Sequence, residues 1–210
     1  MDNSSHYLAR LFHIAQLTRA QIQQGYLIRG IRRQDISNLA EHHYLVAFVA
    51  WQLTLLVEQA GGKIDKAKVL EFALIHDLGE LLGGDIAMPY AQRNPKAREY
   101  AKAFEAENHK FLSDYFGKSK KHFEQLSEEI LNASSDESRI AKIADYIELT
   151  HYLVYMESFV ESDVALIEGK IIKMITEFCD QAAREALKEF FEGWKIDIRR
   201  LATSGAKEFL

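Results

Sequence analysis

The sequence predicts an all-α protein, on three observations. Apolar residues recur at spacings of three and four along most of the 210 residues, and runs alternating at every second position are almost absent. The two prolines, Pro89 and Pro95, both sit mid-chain, so the long stretches on either side carry no proline break. Glycines and side chains suited to capping separate the periodic segments where helices should stop and start.

A first helix is expected from about Ser5 to Gln24, with Leu8, Leu11, Phe12, Ala15 and Leu17 on its apolar stripe and Gly25 as its stop. The polar loop "GYLIRGIRRQDIS" follows. Asn38 then opens a second helix: its side chain can cap the N-terminus while Glu41 reaches back, the reciprocal pattern of a capping box. Gly61-Gly62 ends that helix. Asp65 caps a third, "KAKVLEFALIHD", and Asn94-Pro95 opens a fourth that reaches Gly117, proline being best tolerated at the first helical position. A short helix covers about 119–132, Ser135 starts "SRIAKIADYIELTHYLVYM", and a last long helix spans about 163–193. No repeat, low-complexity tract or linker interrupts the series, so the expectation is one domain over 1–210 with six to seven helices.

Bulk composition narrows the function classes. Hydrophobic residues make up 48% and charged residues 27%, an ordinary globular balance. A net charge of -5 without a long basic run argues against nucleic-acid binding. No apolar stretch approaches the roughly 20 residues that span a bilayer. The start "MDNSSHYLAR" lacks the basic and apolar blocks of a signal peptide, so a soluble cytoplasmic protein is expected. Cys179 is the single cysteine; it reads as an inert core thiol in a reducing compartment.

One segment stands apart. In "ALIHDLGELLGGDI" an apolar run ends in His76 and Asp77, with Glu80 and Asp85 close behind among Gly79, Gly83 and Gly84. Neighbours on a helix point in different directions, so His76 and Asp77 can face one ligand only where the helix is distorted or ending. Elsewhere, His42 and His43 lie in the first turn of the second helix beside Leu39, Leu45, Val46 and Val49. Asp145 is flanked by Ile143, Ala144 and Ile147, and a carboxylate in so apolar a context needs a partner. Lys142, three residues back, is one option. A shared divalent cation is the other: two imidazoles and two carboxylates form a mixed nitrogen and oxygen set, suited to Mn, Co, Fe, Ni or Zn better than to Ca.

The motifs "AEHHYLVAFVA", "HDLGELLGGDI" and "KIADYIE" resemble those of HD-domain phosphohydrolases, and within them the YfbR-type 5'-deoxynucleotidases: an A/S-E-H helix start, an HDxxExxxGD block and K-x-x-D on a later helix. The likeness spans about 25–155. It implies a helical HD fold with one divalent metal held by His42, His76, Asp77 and Asp145, and with Glu80 and Asp85 facing the substrate. By position His42 rather than His43 matches the first ligand. The implied enzyme is a phosphoric monoester hydrolase that releases phosphate from (deoxy)nucleoside 5'-monophosphates through a metal-activated water. Four protein ligands leave positions open for water and a phosphate oxygen, and Glu80 and Asp85 supply proton transfer. The bacterial branch carries an Arg-Trp pair before the first histidine; here that position reads Gln24-Gly25, which leaves Arg29, with Arg32 and Arg33 nearby, to meet the phosphate. The block after Asp85, "IAMPYA", looks closer to archaeal and eukaryotic relatives.

Two alternatives stand beside this reading. His109 and His122 fall where two-metal HD phosphodiesterases carry extra histidines, but "AENHKFL" and "KKHFEQL" read as ordinary amphipathic helix surface. A helical protein that keeps a metal or nucleotide without turnover is the other, and the presence of every ligand and both carboxylates weighs against it. The expected partner is a nucleotide or other phosphate ester, with no nucleic acid and no membrane, and the sequence leaves room for a homodimer.

Overall fold

The structure, a computed structural model, describes residues 4–84 and 86–204. Among the described residues it is helical, with one isolated antiparallel bridge between Ile22 and Asn38. The α-helices are α1 (Ser4–Ala15), α2 (Leu39–Gln59), α3 (Lys66–Ile75), α4 (Met88–Arg93), α5 (Pro95–Ser113), α6 (Lys120–Asn132), α7 (Asp136–Tyr155), α8 (Glu161–Thr176) and α9 (Gln181–Ser204). None of them is long and apolar enough to cross a membrane. Contacts gather the chain into two compact units, Met1–Tyr44 with Leu74–Asn132, and Leu45–Ala73 with Ala133–Leu210.

The caps fall where the side chains dictate. Asn38 Oδ1 accepts from the Glu41 N–H at 3.1 Å and Glu41 Oε2 from the Asn38 N–H at 3.2 Å, a complete capping box at the head of α2. At its other end, Gly61 has φ 81°, and the Gly62 and Gly61 N–H groups donate to Val57 O and Glu58 O, each at 3.0 Å. That is a Schellman close, which glycine enters without steric cost. Asp65 caps α3 through the Lys68 N–H at 3.1 Å, Asn94 caps α5 through Ala97 at 3.1 Å, and Ser135 caps α7 through Ser138 at 3.2 Å.

Four elements differ from the sequence expectation. The first helix ends at Ala15, nine residues short of Gln24, and passes into a 3-10 turn over Gln16–Arg19. Its periodicity continues, but the backbone beyond is used elsewhere: the Gln23 N–H donates to Ser37 O at 3.1 Å and the Leu39 N–H to Gln21 O at 2.9 Å. The arginine-bearing loop is itself ordered into 3-10 turns over Gln24–Arg29 and Arg33–Asp35. The single late helix is two, α8 and α9, broken over 177–180 without any glycine or proline. There the Cys179 N–H donates to the Asp136 carboxylate at 3.0 and 3.2 Å, Asp180 Oδ1 caps α9 through Ala183 at 2.9 Å, and Phe178 is 1% exposed. Cys179 is exposed, not a core thiol. The short α4 was not expected.

The second unit holds a continuous apolar core. Val46, Ala50, Leu53 and Val57 of α2 join Ile140, Ile143 and Ile147 of α7, Ile167 and Ile171 of α8, and Leu187, Phe191 and Ile198 of α9. Each fully buried large aliphatic or phenyl side chain contributes about 1.5–3 kcal/mol. In the first unit α5 is the central support, packing on α4, α6 and the turn that follows α3.

Candidate metal centre

The capping box fixes where α2 starts, and His42 sits one turn in, its N–H bonded to Asn38 O at 3.0 Å. Its side chain is wholly buried. α3 stops at Ile75, one residue before His76 rather than after Asp77. Asp77 has φ -115° and ψ 14°, outside the helical region, and a 3-10 turn over Leu78–Glu80 follows. This early stop is what allows adjacent residues to converge, since in a continuing helix they would diverge by about 100°.

The convergence is tight. His42 Nε2 and His76 Nε2 are 3.1 Å apart, Asp77 Oδ2 lies 3.5 Å from the first and 3.4 Å from the second, and both rings are fully buried. Ligands bonded at about 2.0–2.2 Å to one ion sit about 3 Å apart at right angles and about 3.4 Å apart at the tetrahedral angle. The three separations match that range. Asp145, on α7, is 8% exposed. His42, His76 and Asp77 belong to the first unit and Asp145 to the second. Two imidazoles and a carboxylate so arranged fit a single divalent cation, which satisfies the nitrogens and the acid together.

Residues 7–194 match the sequence profile of the family described as 5'-deoxynucleotidase YfbR-like. The chain belongs to the YfbR-like 5'-deoxynucleotidase family. It is 35% identical over 147 residues to a 5'-deoxynucleotidase of Vibrio parahaemolyticus, covering 68% of this chain and 70% of that one. It is 26% identical over 202 residues to one from Photorhabdus laumondii, covering 94% and 97%. A conserved hypothetical protein of Pyrococcus furiosus superposes with a TM-score of 0.65 at 26% identity, over 92% of this chain and 99% of that one. The cyanophage S-2L HD phosphohydrolase DatZ, solved with dA and one catalytic Zn2+ ion, shares the fold at a TM-score of 0.57 and 17% identity, over 90% of this chain and 96% of that one. The protein is thus a phosphoric monoester hydrolase of this family, and its fold is that of an HD phosphohydrolase.

The other residues that the motif resemblance singles out lie as follows. Glu80 ends the 3-10 turn after Asp77, half-buried, and lines a cavity of about 390 Å³ with Arg98, Lys102 and Phe104. Asp85 lies outside the described residues. Arg29, half-buried, ends the 3-10 turn over Gln24–Arg29, and Arg32 and Arg33 are exposed. Over Gly84, whose φ is 80°, the nearest side chains are amides: a Cβ there would meet those of Gln24 and Gln21. Gly79 and Gly83 serve α5. A Cβ on Gly79 would lie 2.5 Å from Glu105 Cγ and 2.6 Å from His109 Cδ2, and one on Gly83 would strike the Phe104 ring.

His43, which does not match the first ligand by position, is 6% exposed, and its ring tilts against that of His76 with centroids 4.9 Å apart. His109 is not helix surface: it is 2% exposed and stacks on Phe123 at 5.7 Å. His122 is exposed, as expected. Asn108, which no sequence signal marked, is buried and donates to Gly79 O at 2.6 Å.

Proposed function

We propose that the protein releases inorganic phosphate from (deoxy)nucleoside 5'-monophosphates, with one divalent ion held by His42, His76, Asp77 and Asp145. The observation that carries this reading is the convergence of two buried imidazole nitrogens and a carboxylate oxygen to 3.1–3.5 Å, the spacing of ligands around one ion. The donor set suits Mn, Co, Fe, Ni or Zn. The nucleotide assignment draws on the names of the relatives, 5'-deoxynucleotidases, and on the dA bound by DatZ. When bound, the ion supplies Lewis-acid polarisation of the phosphoryl group and a more acidic water.

The chain's own residues do the rest. Burial of His42 and His76 keeps bulk water from their coordinating edges. Hydrolysis requires one group to take a proton from the attacking water and one to give a proton to the departing 5'-oxygen. Glu80, three residues past Asp77, and Asp85 are the carboxylates assigned to those tasks. A guanidinium binds two phosphate oxygens at once, the role assigned to Arg29. The same proposal places the enzyme in the cytoplasm, in keeping with a lone exposed cysteine, and as a homodimer, in keeping with exposed Leu45, Phe48 and Trp51 on α2.

The test is phosphate release from a panel of ribo- and deoxyribonucleoside 5'-monophosphates, with each metal added to chelator-treated protein. Metal-dependent release is expected, and Glu80→Ala and Asp85→Ala should each lose about a hundredfold or more while retaining metal. Absence of release across the panel with every metal would refute the substrate class. Near-normal rates in both variants would remove the two carboxylates from the chemistry.

A further inference from the structure

The turn that carries Asp77 and Glu80 satisfies most of its own backbone. The Glu80 N–H donates to Asp77 O at 2.9 Å, Leu81 to Leu78 O at 3.2 Å, and Gly83 and Gly84 to Glu80 O at 3.3 and 2.8 Å. Gly79 O points the other way, toward α5, and accepts from the Asn108 side-chain amide at 2.6 Å. Both residues are buried, Asn108 to 7% exposure, so this carbonyl depends on a protein donor rather than on bulk water.

The geometry makes that bond a rigid one. Asn108 has a short side chain and is rooted in the C-terminal half of a 19-residue helix. Its neighbour His109 is anchored on Phe123, whose ring stacks on Phe116 at 3.9 Å. Gly79 has no Cβ to hold α5 off; Glu105 O would lie 2.9 Å from one. The helix therefore reaches the turn at a fixed distance and grips it at the Gly79 carbonyl. That carbonyl lies one residue before Glu80 and two after Asp77.

We infer that Asn108 is a positioning residue: its bond to Gly79 O holds the turn so that the Glu80 carboxylate is aimed for proton transfer, without Asn108 touching substrate. The inference rests on the phosphohydrolase reading above. Proton transfer is sensitive to placement at the level of about 1 Å, and removing a partner that orients a site residue typically costs about 10–100-fold in activity or metal affinity.

Asn108→Leu removes the donor while keeping the heavy-atom count and the branching of the side chain. Turnover should fall about 10–100-fold, with the Michaelis constant and metal content close to those of the parent. Backbone hydrogen exchange over 78–84, measured on metal-free protein, should quicken. The decisive comparison is the same substitution in a Glu80→Ala background. If Asn108 acts through Glu80, it should cost little more there, because groups that act as a unit are not additive. An equal fold-loss in both backgrounds, or parent-like turnover with unchanged exchange, overturns the inference. Should Asn108→Leu not fold, Asn108→Ser, too short to reach Gly79 O, is expected to give the same pattern and is judged by the same outcomes. If the parent protein releases no phosphate at all, the phosphohydrolase reading fails on its own account, and unchanged exchange at 78–84 still overturns the grip on the turn.

Discussion

Replacing Gly79 with alanine tests whether the close approach of α5 sets the site. Gly79 has no positive φ, so the cost is packing alone. An added Cβ would lie 2.5 Å from Glu105 Cγ, 2.6 Å from His109 Cδ2 and 2.9 Å from Glu105 O. The Glu105 side chain can swing aside. The carbonyl belongs to the α5 backbone, and His109 is stacked on Phe123, so neither yields without moving the helix. Overpacking of this kind costs about 1–3 kcal/mol, and the backbone contact puts this site at about 2–3. Against that, alanine loses less chain entropy than glycine on folding, offsetting about 0.4–1 kcal/mol. The net expectation is a loss of about 1–2.5 kcal/mol, or roughly 2–10 °C in melting temperature for a chain of this length. Two controls bracket it. At Gly83 the new methyl meets only the ring of half-exposed Phe104, which can rotate, so Gly83→Ala should cost clearly less. Gly193, within α9, has nothing within 4 Å, and Gly193→Ala should raise stability by about 0.5–1 kcal/mol. Differential scanning calorimetry on the three metal-free variants gives the order, and turnover of Gly79→Ala should fall with its stability because Asp77 and Glu80 move with the turn. A Gly79→Ala protein that melts with the parent, or below it by no more than Gly83→Ala, would refute the close-approach reasoning.

The metal assignment predicts close to one divalent ion per chain by elemental analysis, lost in His76→Ala and in Asp77→Ala; full occupancy in either would remove that residue from the ligand set. Because imidazole coordinates only when neutral, metal retention should also decline in acid. Arg29→Ala should raise the Michaelis constant for nucleoside monophosphates and lower turnover with metal content unchanged, while Arg33→Ala does much less; parent-like kinetics in Arg29→Ala would return that arginine to a structural role. His151 predicts a pH effect. Its outer edge is open, but the Trp194 indole N–H donates to Nε2 at 3.0 Å, and burial there lowers its pKa below the ordinary 6.5. The unfolded chain therefore takes up a proton below about pH 6.5 that the folded protein does not. Stability should fall as pH drops through that value, and His151→Gln, which still accepts from Trp194, should flatten the decline; identical melting profiles from pH 7.5 to 5.5 would count against it.

By itself the sequence determined the helical class and most of the helix boundaries, because these are local. Asn38 with Glu41, Gly61-Gly62, Asp65, Asn94-Pro95 and Ser135 each act within one turn of chain, and each was placed by residue type alone. The motif residues were nameable for a different reason: His42, His76, Asp77 and Asp145 are polar side chains rare in apolar helical segments, and the likeness to a known family's motifs singled them out together with Glu80 and Asp85. What the tertiary structure decided is whatever depends on a distant partner. α1 stops at Ala15 because residues 21–23 pair with 37–39, and the late helix breaks because Asp136 takes the Cys179 N–H across 43 positions. The glycines at 79 and 83 make room for α5, which nothing in their own segment reveals. His109 and Asn108 looked like residues of a solvated helix face until α6 and the glycine turn closed over them. Periodicity reports that a face is buried only when that face is apolar. A polar side chain buried by a single hydrogen bond, as Asn108 is by Gly79 O, leaves no such trace, and only the folded chain shows it.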